Sequence, residues 1–368
     1  MSQPIRVLQI VTYMGRGGLE SMLMNYYRHI NRTKVQFDFL VHRDFKADYD
    51  DEILSLGGKI HHISRLVPWS GAYKKELKNF FLTHPEYKIV HVHQDCLSSV
   101  ALKCAKECGV PVRIAHSHSS SAVKNLKYPI KLYYMKKIYK YATDLLACGK
   151  QAGDWMFCGH TYQVVKNAID LESYQLSNDI RCGIRKKLNV ENKLVLGHVG
   201  RFREEKNHTF LIDVFNEVKK ISPNSALLLV GDGELQEEVQ QKVNSLGLSK
   251  DVIFTGSRSD VNQLMQAMDI FVFPSLYEGL PLTMVEAQSS GLPCLISNNI
   301  PDECILVQDL VKKKNITDSA ADWAKMICST SLDRKQYSEA ITKTGYNIKY
   351  EAEKLQDFYL NSITKEGR

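Results

Sequence analysis

Two carboxylates and two cations in the second half of the chain have the types and spacing to grip a phosphorylated, hydroxyl-rich molecule. Glu278 and Glu286, with seven residues between them, lie in Tyr277-Glu-Gly-Leu-Pro-Leu-Thr-Met-Val-Glu286. Carboxylates accept hydrogen bonds from sugar hydroxyls. Gly279, Leu280, Pro281, Leu282 and Thr283 stand between them, where a helix is predicted to open. The free N–H groups of a helix N-terminus attract phosphate. Arg201 and Lys206 stand five apart in Gly200-Arg-Phe-Arg-Glu-Glu-Lys-Asn207, with Arg203 off that pattern. A planar Arg fork and a Lys point charge can clamp a diphosphate and stabilise the charge that builds as it leaves. The chemistry implied is that of a phosphorylated, hydroxyl-rich ligand, such as a nucleotide sugar.

The first half offers weaker signals. Val112-Arg-Ile-Ala-His-Ser-His118 ends an apolar run in two histidines. His116 and His118 both suit hydrogen bonding to a sugar hydroxyl near neutral pH, and the Ser-rich run after His118 favours His118. His91 and His93 alternate on an earlier run and read as structural. Gln94 and Asp95 just beyond are placed to line an acceptor site. Gly15-Arg-Gly-Gly18 allows close approach of backbone to a phosphate or sugar. It is not a dinucleotide fingerprint, because position 20 is Glu where the third glycine belongs. Asp48-Tyr-Asp50 matches a metal pattern by letters only, and reads as a solvated acidic loop.

The elements that must position these residues alternate short apolar strands with helices, which predicts α/β architecture with parallel, doubly wound sheets. Strands are predicted at 5–11, 35–41, 59–63, 89–93, 112–116, 144–148 and 163–166, and again at 194–199, 226–230, 252–255, 270–273 and 294–297. Helices are predicted near 20–29, 71–82, 97–108, 128–141, 151–157, 208–221, 234–246, 260–267 and 281–290, the last stopped by Gly291-Leu-Pro293. In the stretch after 124, Ile130, Tyr134, Ile138, Tyr141 and Leu145 are predicted to face the core. Lys136, Lys137 and Lys140 face out with Tyr133, a basic aromatic face suited to an anionic membrane surface. The tail from Gly345 is predicted helical, packing through Tyr350, Leu355 and Phe358.

A chain of 368 residues exceeds one typical core, so two domains are expected. With 44% hydrophobic and 24% charged residues, the composition is that of a soluble globular protein. No apolar run reaches the roughly 18 residues of a membrane span. The first strand begins at Ile5 with no signal-peptide pattern, and the nine cysteines form no Cys-x-x-Cys pair. Both point to reduced thiols in a cytoplasm. A net charge of +7 suits an anionic substrate or membrane surface but is not the concentrated charge of a nucleic-acid binder.

The string Glu-Gly-Leu-Pro-Leu-Thr-Met-Val-Glu-Ala287, with Gly200-Arg-x-x-x-x-Lys-Asn207, resembles the signature of the retaining glycosyltransferases of family four, of bacterial polysaccharide-biosynthesis type. That resemblance implies the GT-B architecture, two Rossmann-like domains with parallel sheets facing across a cleft. It implies Arg201 and Lys206 at the diphosphate, Glu278 with a histidine (His116 or His118) at the donor sugar, and Glu286 on the ribose. Gly17 and Gly18 would border the diphosphate, residues 279–283 the donor, and Arg258 the base. No metal or other cofactor is implied. Lys166-Asn-Ala-Ile-Asp170 resembles the family's interdomain linker, with Ala168 where glycine stands. The expected domains are 1–170 on the acceptor side and 171–345 on the nucleotide-sugar side, with helix 346–368 packing back onto the first. The expected reaction is transfer of a hexose-type sugar, with retention, from a nucleoside diphosphate such as UDP to a saccharide or lipid-linked saccharide. Rival readings are a nucleotide-sugar epimerase, discriminated by turnover without acceptor, and a non-catalytic sugar-nucleotide-binding subunit, discriminated by binding without transfer. A dehydrogenase is disfavoured by the missing fingerprint.

Overall fold

The computed structural model describes residues 3–119 and 128–366, so the predicted features at 120–127, Lys124 and Lys127 among them, lie outside the described residues. The chain divides into two compact units. The first comprises Met1–Ile169 with Gly345–Arg368, the second Asp170–Thr344.

Apolar runs separated by helices give parallel strands, as the alternation predicts. In the first unit these are β1 (Ile5–Ile10), β2 (Val35–Val41), β3 (Ile60–His62), β4 (Ile89–Val92), β5 (Val112–Ser117), β6 (Asp144–Ala147) and β7 (Gln163–Val164). Their spatial order is β3-β2-β1-β4-β5-β6-β7. In the second unit β8 (Leu194–Val199), β9 (Ser225–Val230), β10 (Val252–Phe254), β11 (Ile270–Phe273), β12 (Cys294–Ser297) and β13 (Val311–Lys314) take the order β10-β9-β8-β11-β12-β13. Each sheet reverses its strand order once, between β1 and β4 and between β8 and β11. Ligands of open parallel sheets bind at the carboxyl ends of the strands flanking such a reversal.

Apolar side chains cover both faces of the first sheet in separate clusters. The helix Ile348–Glu366 belongs to one of them. Its Ile348, Ala352, Leu355 and Tyr359 are buried with Val7, Phe37 and Ile114, at spacings of four, three and four that share one helical face. Tyr350 falls off that stripe and is 58% exposed, against the prediction that it packs; Leu355 is buried and Phe358 packs against the cluster.

Other departures have local causes. The single helix predicted across 128–141 is two, Tyr128–Met135 and Ile138–Tyr141, broken at Lys136 and Lys137. Ile130 is 37% exposed, against the prediction that it faces the core, and Met135 is buried instead. Lys136 and Lys140 are exposed, while Lys137 lies over the Tyr133 ring, 3.7 Å from its centroid. Asp50 is buried rather than solvated, accepting the Ala47 N–H at 2.8 Å at the start of helix Asp50–Ser55. β13 reads Val-Lys-Lys-Lys, too polar for a buried-strand pattern, because it is an edge where lysines oppose further pairing. Helices Asn178–Lys187, Ala320–Cys328 and Ser338–Lys343 add to the predicted set.

Candidate active site

The loops that leave β8 and β11 flank the strand-order reversal of the second unit, and they are joined. Leu276 N–H donates to the Glu205 carbonyl at 2.8 Å, and Asn207 Nδ2 to the Pro274 carbonyl at 3.3 Å. Lys206 Nζ meets Glu278 Oε1 at 2.5 Å. The two side chains of that pair are only 16% and 11% exposed, and Lys206 Nζ also lies 4.9 Å from the centre of the Phe273 ring. Asn207, in the left-handed region at φ 54°, ends a short 3-10 turn, Glu204–Lys206, and begins helix His208–Ile221. Asn tolerates that conformation better than most residues, so the turn can fold Lys206 back over the strand end.

Arg201 stands one residue past Gly200 at the same strand end, partly buried. The neighbouring loop after β9 presses against it. Phe202 N–H donates to the Asp232 carbonyl at 2.8 Å. Gly231 has φ 138°, and a Cβ there would come within 2.2 Å of the Gly200 carbonyl oxygen. Glycine is therefore required for the approach of the two loops.

After Glu278, the segment Gly279–Pro281 leads into helix Leu282–Ser289, whose first turn carries Thr283. Leu282 is buried, while Gly279, Leu280 and Thr283 are partly buried. Glu286 lies one turn into this helix. Burial pushes its carboxyl up to about 7, and the Tyr174 hydroxyl, donating to Oε1 at 2.8 Å, pulls it down. Tyr174 is a partner that sequence reasoning missed; its own short turn, Leu171–Tyr174, carries no motif. Arg258 is placed at the end of β10, two strands from β8, with its fork engaged by Asp260 at 2.8 and 2.7 Å. The structure thus joins Lys206 to Glu278 directly, sets Arg201 on the same strand end, and holds Glu286 on the helix that follows Glu278.

The remaining candidates lie in the first unit. Gly17 begins helix Gly18–His29 in extended conformation, and a Cβ at Gly18 would meet open space. His116 is fully buried, and its Nε2 has no hydrogen-bond partner among the described residues. His118, just past β5, is partly exposed as a residue, although burial of its ring pulls it down to about 3. The Asp95 carboxylate is set against the His118 main-chain N–H and the Ser119 hydroxyl. His91, His93 and His116 place ligand atoms within 4.8 Å of one another, the group among the described residues able to hold a metal ion.

Two parallel sheets, each reversing its strand order once, with a cation and a carboxylate paired at the reversal of the second, are the arrangement of a GT-B glycosyltransferase. Comparison with known proteins agrees. Residues 182–347 match the family described as glycosyl transferases group 1. A putative glycosyltransferase, EpsF of Bacillus subtilis (strain 168), is 34% identical over 366 residues, spanning 97% of this chain and 95% of that protein. The UDP-Gal:alpha-D-GlcNAc-diphosphoundecaprenol alpha-1,3-galactosyltransferase of Escherichia coli is 26% identical over 302 residues, 77% of this chain and 78% of that one. Anabaena Alr3699/HepE, solved in complex with UDP and glucose, shares the fold with a TM-score of 0.75 over 98% of this chain and 99% of that chain, at 18% identity. The protein belongs to the group 1 glycosyltransferases.

Proposed function

We propose that the protein transfers a hexose or N-acetylhexosamine, with retention, from a UDP-sugar to a hydroxyl of a saccharide or lipid-linked saccharide during bacterial polysaccharide assembly. The observation that carries the reading is the Lys206–Glu278 pair at the β8/β11 reversal, in a chain of this family. A UDP-hexose donor and a lipid-linked saccharide acceptor are those in the name of the Escherichia coli relative.

In this reading the acceptor oxygen bonds to the anomeric carbon as the bond from that carbon to the diphosphate oxygen breaks. The acceptor proton passes to a departing phosphate oxygen on the same face. Arg201 and Lys206 stabilise the charge growing on the diphosphate, which in a dry site is a large catalytic contribution. Gly17 and Gly18 take the diphosphate-bordering role that the family resemblance gives them, and Arg258 the base. Glu278 exchanges its bond to Lys206 for hydroxyls of the sugar, His118 orients that sugar, and Glu286 accepts the ribose hydroxyls. No metal ion is needed, because cationic side chains take that role. No described helix is long and apolar enough to cross a membrane. A cytoplasmic protein meeting a lipid-linked acceptor would dock peripherally, through Lys136, Lys137 and Lys140.

The test is incubation with a panel of UDP-sugars, with and without saccharide acceptors, following products by proton NMR of the anomeric centre. A new glycoside of the donor's configuration supports the reading. An inverted product refutes retention, an epimerised donor without acceptor supports an isomerase, and binding without turnover of any donor supports a non-catalytic subunit.

A further inference from the structure

Gln9, His91, His93, His116 and His118 form one hydrogen-bonded set on a face of the first sheet, and most of it has no part in the roles above. Residues two apart on a strand share a face, which aligns His91 with His93 and His116 with His118. The register pairs Gln9 with His91 and His91 with Ile114, so the three strands β1, β4 and β5 present these side chains together. From the helix Ile348–Glu366, the Tyr359 hydroxyl reaches the same face.

We infer that Gln9 is a positioning residue whose single amide sets the tautomers of all four histidines as one unit. The argument is proton counting. A neutral imidazole has one N–H and one lone pair, and each ring-to-ring contact here, His91 to His116 and His93 to His118, needs one of each. Gln9 Oε1 can only accept, so His93 Nε2, 2.9 Å away, carries that ring's proton. His93 Nδ1 is then a lone pair and accepts from His118 Nε2–H at 2.8 Å. His118 is left with Nδ1 as its free acceptor.

The other end of the amide runs the second arm. Gln9 Nε2 donates to the Tyr359 hydroxyl oxygen at 3.4 Å, and that hydroxyl donates to His91 Nδ1 at 2.8 Å. His91 Nε2–H then donates to His116 Nδ1 at 3.1 Å. His116 keeps its proton on Nε2, a buried atom with no hydrogen-bond partner among the described residues. Turning the amide end for end would reverse every bond in both arms. A ring buried one strand away from the outer histidine therefore relays what a residue on β1 dictates. Resting on the proposed role of His118, the consequence is that Nδ1 is offered to a sugar hydroxyl as an acceptor.

The same lone pairs are what a metal bound by His91, His93 and His116 would require, so the relay and a resident metal exclude each other. The test is two-bond nitrogen–proton correlation NMR of the nitrogen-15-labelled full chain, which reports the tautomer of each histidine, with metal content measured on the same sample. The wild type should show His93, His118, His91 and His116 all protonated on Nε2, with no stoichiometric metal. Gln9→Glu accepts on both sides, so it should leave His93 and His118 unchanged and move the protons of His91 and His116 to Nδ1. Gln9→Leu should release His93 and His118 from a single tautomer. Tyr359→Phe should disturb His91 and His116 alone, and it serves if the Gln9 variants do not fold. Tautomers indifferent to Gln9, a wild-type His118 protonated on Nδ1, or one equivalent of bound zinc would overturn the relay. Transfer kinetics separate the two claims. With both correct, Gln9→Leu lowers kcat on the order of tenfold, as loss of a group orienting a site histidine does, with donor KM unchanged. Tautomers that follow Gln9 while kcat stays at the wild-type value uphold the relay and remove His118 from the site.

Discussion

Deleting one hydroxyl should move the pH at which the nucleotide binds. Burial lifts the Glu286 carboxyl to about 7, against the lowering effect of the Tyr174 hydroxyl at 2.8 Å. Tyr174→Phe removes that donor and keeps the ring. A hydrogen bond to a charged acceptor contributes about 1.5–3 kcal/mol, equivalent to about one to two pKa units at about 1.36 kcal/mol each. Glu286 in the variant should therefore titrate at roughly 8 to 9. At pH 7 its ionised fraction falls from about one half to between about one tenth and one hundredth. If ribose hydroxyls need the carboxylate, the Kd for UDP weakens about five- to fiftyfold at pH 7 and recovers to within about twofold by pH 9.5. The wild type should itself bind about fivefold more weakly at pH 6 than at pH 7. Calorimetric titration with UDP from pH 6 to 9.5 measures all of this. An equal loss at every pH, or no loss at pH 7, would refute the placing of an ionised Glu286 on the nucleotide.

Glu286 also carries a stability signature. Its folded value of about 7 lies above the ordinary 4.5, so its contribution is fully present below 4.5 and is lost as pH rises through 7, on the order of 3 kcal/mol in total. Glu286→Gln should flatten the fall in urea midpoint across that window; an unchanged slope removes Glu286 as its source. Glu278→Ala and Lys206→Ala should each abolish sugar transfer while circular dichroism stays native, and wild-type turnover in either would remove those roles. Replacing Lys136, Lys137 and Lys140 by Glu should lower cosedimentation with anionic vesicles, and unchanged binding would leave a plain solvated surface.

Strands were legible wherever burial on both faces made them continuously apolar, as in Ile270–Phe273, which appears with the predicted limits. β13 was not, because an edge strand can be polar along its length. The helix Ile348–Glu366 was legible, but its buried stripe was misjudged. Tyr350 is exposed, whereas the expected Leu355 lies on the buried series Ile348, Ala352, Leu355 and Tyr359, a spacing that the letters carry. In the candidate site, the motif spacing located the two loops of the second unit, and their strands are neighbours. What spacing could not carry was partnership. Tyr174 reaches Glu286 across 112 residues of sequence, and nothing near Tyr174 marks it. Likewise, the alternation of His91 with His93 and of His116 with His118 is visible in the letters. Their alignment with Gln9 needs the order in which three strands are laid side by side.

The first unit is discontinuous, and this bears on how the protein is made. Ile348, Ala352, Leu355 and Tyr359 complete its interior, and Ile169 is hydrogen-bonded to Tyr346 and Ile348 at 3.0 Å where the chain departs and returns. A ribosome emits residues 1–169 long before those four exist. Residues 170–344 are contiguous and emerge with everything their own interior requires. The half made first is thus the half that finishes last, and during synthesis it waits with an apolar seam open.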